Sequence, residues 1–598
     1  MQACALHLCH RTPRRCRVRA CPIVFGARTS ESAARREHTR LRASLQLLCP
    51  LVLASRSVGK FILRESHPLR TRRLIFTHKV EDINCTRAVK GIFGRVTTHS
   101  TRTLPDFSPD FQANAQWAAN ELGSIQLGDK RNNRRMVKVF NQMLNSPGKS
   151  IPQCSRSVAE AKAFYRLLDV EELTDTLLFE VHRQAVLRRA RLSGCRVLLA
   201  IQDTTACNFN SRDSLEGLGS ISSNKVRTNI AGLHVHSTLL SAADEDAVFG
   251  LLGAKFYARK LPCKGRSVGA RNREPIEGKE SVRWLESLEL AWQARQWFEL
   301  PTQASASDTQ PAQPPLIVSV GDREADIYEL LAEAQQHREQ GLGLLVRAQH
   351  NRSLEGEEAR MWRHLEQSEQ AGTHTLQLPR SQGQKARQAT LSVRFAAVKL
   401  AVPVNKAKYM KKDTPVEAYV VELREQDAPE GKGICWRLLS TLKVDTLEAA
   451  LELARWYAKR WQIEEFHRIL KTGCRVEARQ MRSLERLKPM MALDMLVACR
   501  IMGMSAGARQ RPQDPATDWL DEDEISALEA YESEGKKPLK DAPPMSLGAA
   551  VKSIARLGGH LGRKGDGHPG AQVLWQGLKK LDTITDVWRR LRPQQTYG

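Results

Sequence analysis

Three acidic residues in this sequence have the types and surroundings needed for phosphoryl-transfer chemistry. Asp203 and Asp322 follow short apolar runs of buried-strand length, at 196–201 and 316–320, and Glu464 lies in a helical segment. The carboxyl ends of strands in an open α/β sheet are where catalytic groups gather. A nuclease that uses two divalent ions needs at least three convergent carboxylates to hold them. An Asp after a strand is also a common turn or capping residue, so the prediction depends on all three acids converging.

The segment that carries Glu464 presents a polar stripe. Helical patterning from Leu447 past Lys471 predicts one long helix. Tyr457, Arg460, Glu464 and Lys471 stand at i, i+3, i+7 and i+14, so they project from one face of that helix. Such a stripe could bind a metal ion and clamp the flanking phosphates. It could equally be an exposed row of salt bridges, since an Arg and a Glu four residues apart form an ordinary helical ion pair.

Other acids nearby could be mistaken for metal ligands, namely Asp213, Asp326 and Glu465. Glu465 is about 100° around the helix from Glu464 and is expected to face elsewhere. The candidate set is therefore Asp203, Asp322 and Glu464.

The chain is strongly basic, with 92 Lys and Arg against 66 Asp and Glu, a net charge of +26. Residues 1–104 hold 21 basic and 5 acidic side chains, so 16 of the 26 charges lie in a head that need not belong to the folded protein. The remainder still favours a polyanionic partner such as nucleic acid. Arg131 and Arg135 lie in a basic helical cluster that Lys149 continues, although a solvated helix face explains such a cluster equally well.

Cysteines and apolar runs argue against a secreted or membrane protein. The 13 cysteines are scattered, without a CxxC pair or zinc-finger spacing, which predicts reduced thiols in a cytoplasmic protein. The longest apolar run near the start, at 45–54, is about half of the roughly 20 residues that cross a bilayer, and Pro50 interrupts it. We expect no membrane partner.

Several motifs, in order along the chain, resemble one protein family. The string YAKRWQIEEFHRILKTG at 457–473 resembles the YREK signature of the bacterial insertion-sequence-four family of DDE transposases, in particular its transposon-five branch. The same resemblance extends to LGDKRNNRRMVKV at 127–139, IQDTTACNF at 201–209, GDREADIYELL at 321–331 and SIARLGG at 553–559. It covers roughly 110 to 590, and the first hundred residues have no counterpart in it.

The resemblance implies an α/β fold: a ribonuclease-H-like mixed-sheet catalytic core with a β-rich insertion, flanked by N-terminal and C-terminal helical domains. The predicted segments are 1–104, a basic extension that is disordered or spurious; 105–190, a helical domain that binds the transposon end; 191–350, the first part of the core; 351–440, the insertion; 441–505, the core helix with the YREK signature; and 506–598, a helical dimerisation region.

Residue roles follow from the same resemblance. Asp203, Asp322 and Glu464 would be the catalytic residues and would bind Mg²⁺, for which Mn²⁺ can substitute. Trp436 would stack on a flipped base, since an aromatic platform can offset the cost of unstacking. The expected DNA-binding residues are Tyr457, Arg460, Lys471, Trp436, Arg131, Arg135, Lys149, Arg323 and Arg347.

The activity that the resemblance implies is cut-and-paste DNA transposition. The transposon end is nicked, its 3′-hydroxyl attacks the opposite strand to give a hairpin, water reopens the hairpin, and the 3′-hydroxyl attacks target DNA. The expected partners are the transposon ends, the target DNA and a second copy of the chain in the synaptic complex, with the dimer contact placed at Gly558 and Gly559. The expected location is the bacterial cytoplasm, in association with the nucleoid.

Three other functions compete with this hypothesis. A non-catalytic inhibitor of transposition would bind DNA but would not need all three acids. A plain metal-dependent nuclease on the same core would not need the full YREK stripe and Trp436. A glycosidase would use a pair of carboxylates but not the basic clamp.

Overall fold

The computed structural model of the chain describes residues 114–210, 215–222, 230–259, 274–300, 313–358, 360–378, 387–404, 415–428, 433–533, 543–563 and 566–591. The predicted extension at 1–104 lies outside the described residues. Within the described part, a central mixed sheet is flanked by helical regions. This architecture confirms the predicted α/β class.

The N-terminal part is helical: α1 Asn114–Leu122, α2 Lys130–Asn145, α3 Ile151–Cys154, α4 Val158–Leu167 and α5 Asp175–Leu192. Asp129 caps α2, because its carboxylate accepts a hydrogen bond from the backbone N–H of Arg131. One face of α2 is apolar, and Phe140 on that face packs against Trp117 with ring centroids 5.7 Å apart. The basic side chains of α2 lie on the other face, at the surface.

A single sheet connects all of the described strands: β1 Val197–Asn208, β2 Gly219–Ser220, β3 Ala231–Ala242, β4 Val248–Tyr257, β5 Leu316–Gly321, β6 Leu342–Arg347, β7 Gln370–Leu378, β8 Arg387–Leu400, β9 Val416–Glu425 and β10 Cys435–Ser440. Their order is β2-β3-β1-β5-β6-β10-β9-β8-β7, and β4 also pairs with β3. Strands β1, β5 and β6 run parallel, and the other neighbours are antiparallel. The parallel strands are apolar and buried, as strands covered on both faces must be.

The strands of the predicted β-rich insertion extend this central sheet. Strand β10 pairs with both β6 and β9, and β9 carries β8 and β7 outward. Three helices pack beside the strands, α6 Val282–Glu299, α7 Tyr328–Gln336 and α8 Met361–Gln367. The insertion therefore shares the hydrophobic core of the sheet.

The predicted long helix from Leu447 past Lys471 is wrong in one respect, because it is interrupted. Helix α9 covers Leu447–Ala458, α10 covers Trp461–Arg468, and a π-helical turn follows at Ile469–Gly473. At the interruption the amides of Lys459 and Arg460 donate to carbonyls only three residues back. The Lys459 ammonium also donates to the carbonyl oxygen of Ala242 at 3.1 Å, which ties the junction to the end of β3.

The C-terminal part is again helical: α11 Leu484–Gln510, α12 Glu522–Glu532, α13 Leu547–Leu557 and α14 Ala571–Leu591. Helix α11 is long and apolar enough to cross a membrane by length and composition, but its apolar window is wholly buried inside the fold. We therefore interpret α11 as a core helix, since a helix that is apolar on all sides is either buried or membrane-spanning.

Candidate active site

The parallel pairing of β1 and β5 places Asp203 beside Asp322. Its register runs from Val197 opposite Leu316 to Ile201 opposite Val320, and the same offset of 119 residues aligns 203 with 322. Strand β5 ends at Gly321, so Asp322 follows its carboxyl end as predicted. The prediction that Asp203 also ends its strand is wrong. Strand β1 continues to Asn208 because its other edge stays paired with the long strand β3.

Helix α10 brings the third acid to the same place. The Arg460 guanidinium at its start forms an ion pair with Glu464, and its Nη1 lies 3.6 Å from Oδ2 of Asp203. The side chains of Arg460, Asp203 and Glu464 are 15, 20 and 28% exposed, so all three lie in a cleft that solvent still reaches. Asp203 in β1, Asp322 after β5 and Glu464 in α10 thus lie around Arg460.

The two Asp carboxylates are held by neighbouring backbone amides. Oδ1 of Asp203 accepts from the amide of Thr204 at 2.7 Å, and Oδ1 of Asp322 accepts from the amide of Glu324 at 2.8 Å. Asp322 thereby caps the 3₁₀ turn Arg323–Ala325 that follows it. Capping and ligand binding are compatible here, because a carboxylate has two oxygens and several lone pairs.

Negative charge accumulates at this cluster. Burial and then the Asp322 charge raise the pKa of Asp203 to about 7, with a further contribution from Glu464. Arg460 and the Thr204 amide oppose this rise without cancelling it. Three carboxylates facing one cation leave a site that favours additional positive charge.

The donor set suits a hard divalent cation, which prefers carboxylate oxygens. Within the described ranges, however, no group of three or more His, Cys, Asp or Glu side chains is close enough as placed to hold a metal ion. Arg460 lies between Asp203 and Glu464 and offsets part of their negative charge. The residue types therefore fit a divalent ion, and ligation by all three acids requires their side chains to reorient around Arg460.

The other acids singled out from the sequence have different surroundings. Asp326 is buried and accepts hydrogen bonds from the amides of Gln349 and His350 and from Arg352, a structural role. Glu465 turns away from the acid cluster and pairs with Arg468 at 3.3 Å. Asp213 lies outside the described residues.

The aromatic members of the predicted DNA-binding set are buried. Tyr457 is 6% exposed and Trp436 only 3%, and their rings meet edge to face with centroids 5.5 Å apart. A base could stack on Trp436 only after this contact opens. Arg347 donates to the carbonyl oxygen of Cys435 at 3.4 Å, next to Trp436 in the chain.

The basic members of the set lie in several environments. Arg323 is exposed in the turn after Asp322, and Lys471 is half-buried in the π-helical turn. Arg131 is exposed and pairs with Asp129, while Arg135 donates to Asn132 at 3.4 Å. Lys149 differs from these, because its ammonium forms an ion pair with Asp582 of α14. These DNA contacts stay predictions.

Sequence reasoning missed a histidine that attaches α10 to the sheet. Nε2 of His467 lies 3.3 Å from Oγ of Ser237, and Ser237 pairs with Asp203 in the β1–β3 register. Burial, and then the nearby Lys471 and Arg460, lower the pKa of His467 to about 3, so the imidazole is neutral. Its place next to the YREK stripe was the only signal in the sequence, and a core histidine gives the same pattern.

Three family models match the chain. Residues 114–173 match a transposase DNA-binding domain, 310–499 match a transposase DDE domain, and 496–597 match the dimerisation domain of the Tn5 transposase. Asp322 and Glu464 lie inside the DDE match, and Asp203 precedes it. A DDE domain implies a ribonuclease-H-like core, in agreement with the predicted fold. The chain thus combines a DNA-binding, a catalytic and a dimerising domain.

Proposed function

We propose that this Tn5-like DDE transposase performs cut-and-paste transposition: Mg²⁺-dependent cleavage of the transposon ends, hairpin formation and resolution, and strand transfer into target DNA. We assign it to the insertion-sequence-four family with the YREK signature. Mn²⁺ would substitute for Mg²⁺.

The convergence of Asp203, Asp322 and Glu464 carries the proposal. These acids are separated by more than a hundred residues in sequence and come from three different elements. The net negative charge that they create has no structural benefit of its own, because like charges raise each other's pKa and destabilise the fold. Such an arrangement is typical of a site that binds cations.

The chain's own residues would divide the work as follows. Asp203, Asp322 and Glu464 would hold the divalent ions, which when bound activate the attacking oxygen and stabilise charge on the phosphate. Arg460, already oriented by two of the acids, would exchange carboxylate for DNA phosphate as the ions and the DNA arrive.

The remaining DNA contacts would surround the acids. Lys471 and Arg323 would bind phosphates on either side of the cleft, while Tyr457 and Trp436 would separate to admit an unstacked base. Arg131 and Arg135 would bind the transposon end, because they present cations on an exposed helix face.

Two copies of the chain would act together. The dimerisation domain supports a homodimer, and we extend this to a synaptic complex in which each copy cleaves an end held partly by the other. The place of action would be the bacterial cytoplasm, on nucleoid DNA.

The test uses the purified full chain and DNA that carries the element's own ends, with and without Mg²⁺. We expect Mg²⁺-dependent nicks, hairpins and joined products, and Asp322→Ala should lose all of them while it still binds the ends. End binding without cleavage in Mg²⁺ or Mn²⁺ would favour a non-catalytic inhibitor. Nicking without hairpins or joining would favour a plain nuclease.

A further inference from the structure

Arg283 of α6 contacts the neighbours of both Asp residues. Its Nε donates to Oγ1 of Thr204 at 3.0 Å, and its Nη2 lies 3.3 Å from Oε2 of Glu324. Thr204 follows Asp203 directly, and Glu324 lies two residues after Asp322. The guanidinium of Arg283 therefore contacts a residue next to Asp203 and a residue close to Asp322.

The residues that Arg283 holds are the ones that orient the acids. The amide of Thr204 donates to the Asp203 carboxylate, and the amide of Glu324 donates to the Asp322 carboxylate. Arg283 thus contacts the side chain of each residue whose backbone fixes an acid. The rigid planar fork of an arginine can make two such contacts at a set separation, whereas the single ammonium of a lysine cannot.

The ladder between β1 and β5 cannot set this separation by itself. Its last pair is Ile201 with Val320, and both acids lie two residues beyond it. Past that point β1 follows β3 while the chain after β5 turns into a 3₁₀ turn. Beyond the last ladder pair, Arg283 links the two segments that carry the carboxylates, through Thr204 and Glu324.

A buried hydrogen-bonded chain fixes Thr204 from its other side. Nδ1 of His236 lies 2.8 Å from the Thr204 hydroxyl, its Nε2 lies 3.2 Å from Oε1 of Gln202, and the Gln202 amide donates to Ser319 at 2.6 Å. Gln202, His236 and Ser319 are 0 to 1% exposed.

The direction of this chain follows from Oε1 of Gln202, which can only accept, so Nε2–H of His236 donates to it. Burial lowers the pKa of His236, so its imidazole is neutral and Nδ1 accepts from the Thr204 hydroxyl, which in turn accepts from Arg283. The chain ends on Ser319 in β5, the strand that precedes Asp322. Strands β3, β1 and β5 are therefore linked behind the acid cluster.

We propose that Arg283 is a positioning residue that sets the separation of Asp203 and Asp322 through Thr204 and Glu324. This inference rests on the proposed metal-dependent function. Arg283 is not available as a DNA contact: its side chain is 10% exposed, its Nη1 donates to the carbonyl oxygen of Glu280 at 2.8 Å, and its guanidinium lies 5.5 Å from the ring centroid of Tyr257.

The test measures Mn²⁺ binding to the full chain without DNA, by the loss of the free-ion electron paramagnetic resonance signal. Partners of a metal ligand typically contribute about 10- to 100-fold to metal affinity, so Arg283→Gln should raise the half-saturating Mn²⁺ concentration by about that factor. Thr204→Val should give a smaller rise, and Thr204→Ser, which restores the hydroxyl, should recover most of the affinity. Glu286→Gln is the matched control, since Glu286 lies on the same helix and pairs with Lys255 at the surface.

Two further measurements separate positioning from folding and from the proposed function. Thermal melting without metal should be the same for Thr204→Val and Thr204→Ser, so that a difference in Mn²⁺ binding between them reports on geometry. Wild-type affinity in both Arg283→Gln and Thr204→Val, with binding lost in Asp322→Ala, would overturn the positioning role alone. Wild-type Mn²⁺ binding that survives Asp322→Ala would overturn the proposed function and this inference with it.

Discussion

Two clusters of charged residues in this chain shift the pKa of a buried carboxyl group in opposite directions. Glu121, which is fully buried, pairs with Arg189 and lies 2.5 Å from Nδ1 of His182. Burial alone would raise its pKa, but Arg189 and His182 outweigh burial and lower it. At Asp203, burial and the Asp322 charge together raise the pKa to about 7 although Arg460 is close.

The difference lies in the balance of charge. Glu121 has a cation for its one negative charge, so the cluster joins α1, α5 and the sheet as a closed structural unit, with Arg189 also donating to the carbonyl oxygen of Phe249. The acid cluster at Asp203 has three carboxylates for one arginine, and it is open to solvent. The balanced buried cluster stabilises structure, whereas the surplus of acids in the cleft is consistent with the proposed binding of divalent cations.

The largest expected effect, on activity, comes from removing one of the three carboxylates in the acid cluster at Asp203. Glu464→Gln should lower cleavage and strand transfer by at least about a hundredfold, because we propose that Glu464 binds the metal ions, which would supply several kcal/mol of transition-state stabilisation. Because the change also removes repulsion, the melting temperature without metal should stay the same or rise. Product yields on gels and thermal melting measure the two quantities.

Glu465→Gln is the control for that substitution, since Glu465 is adjacent in sequence but pairs with Arg468. It should leave both activities close to wild type. Equal loss of activity in Glu464→Gln and Glu465→Gln would contradict a specific role for the acid cluster at Asp203.

The balanced cluster should behave in the opposite way. Glu121→Gln leaves Arg189 without its counter-ion in the interior, which should lower the free energy of unfolding by about 3 kcal/mol. Urea denaturation at pH 7 measures this loss. The exposed pair of Glu286 with Lys255 provides a comparison, because Glu286→Gln should cost less than about 1 kcal/mol.

The stability difference between wild type and Glu121→Gln should also depend on pH. The pKa of Glu121 is lowered on folding from its ordinary value of 4.5, so its contribution is present above pH 4.5 and is lost as pH falls through the folded-state pKa. Denaturation between pH 7 and pH 3 should show the two proteins converging. A difference that grows on acidification would mean that Glu121 is not stabilised as a carboxylate.

The sequence predicted the class of fold, which the structure confirms. It also singled out the three acids, whose role stays a prediction, but it did not show which residues hold them in place. The apolar runs before Asp203 and Asp322 predict strands that are buried on both faces, as the strands of parallel sheets typically are. Sequence periodicity could not show that β1 continues past Asp203, since that depends on pairing with β3. It also could not show that the helix is interrupted near Lys459, where the side chain of Lys459 contacts Ala242 at the end of β3.

Arg283 could not be predicted for a similar reason. It lies in a helix rich in apolar residues, far in sequence from Thr204 and Glu324, and only the folded chain brings the three together. Trp436 is a different case, since its predicted role came from the family resemblance and the structure places it in the core. Local sequence patterns therefore do not show which residues far apart in the chain contact one another in the folded protein.

The smallest expected effect concerns cations that are neither buried nor part of an acid cluster. Arg131 and Arg135 lie on α2 toward solvent, and if each contacts a phosphate, Arg135→Ala should reduce the slope of log affinity against log salt by about one. Filter binding of the transposon end at salt concentrations between about 50 and 200 mM measures this slope, because the affinity of phosphate contacts falls over this range.

Arg131→Ala should have less effect on affinity, because Arg131 already pairs with Asp129, the cap of its own helix. Lys399→Ala, which removes an exposed lysine from the distant strand β8, is the control. An unchanged slope in Arg135→Ala would mean that this face of α2 is only a solvated surface, and that the chain's DNA-binding charges must be sought elsewhere.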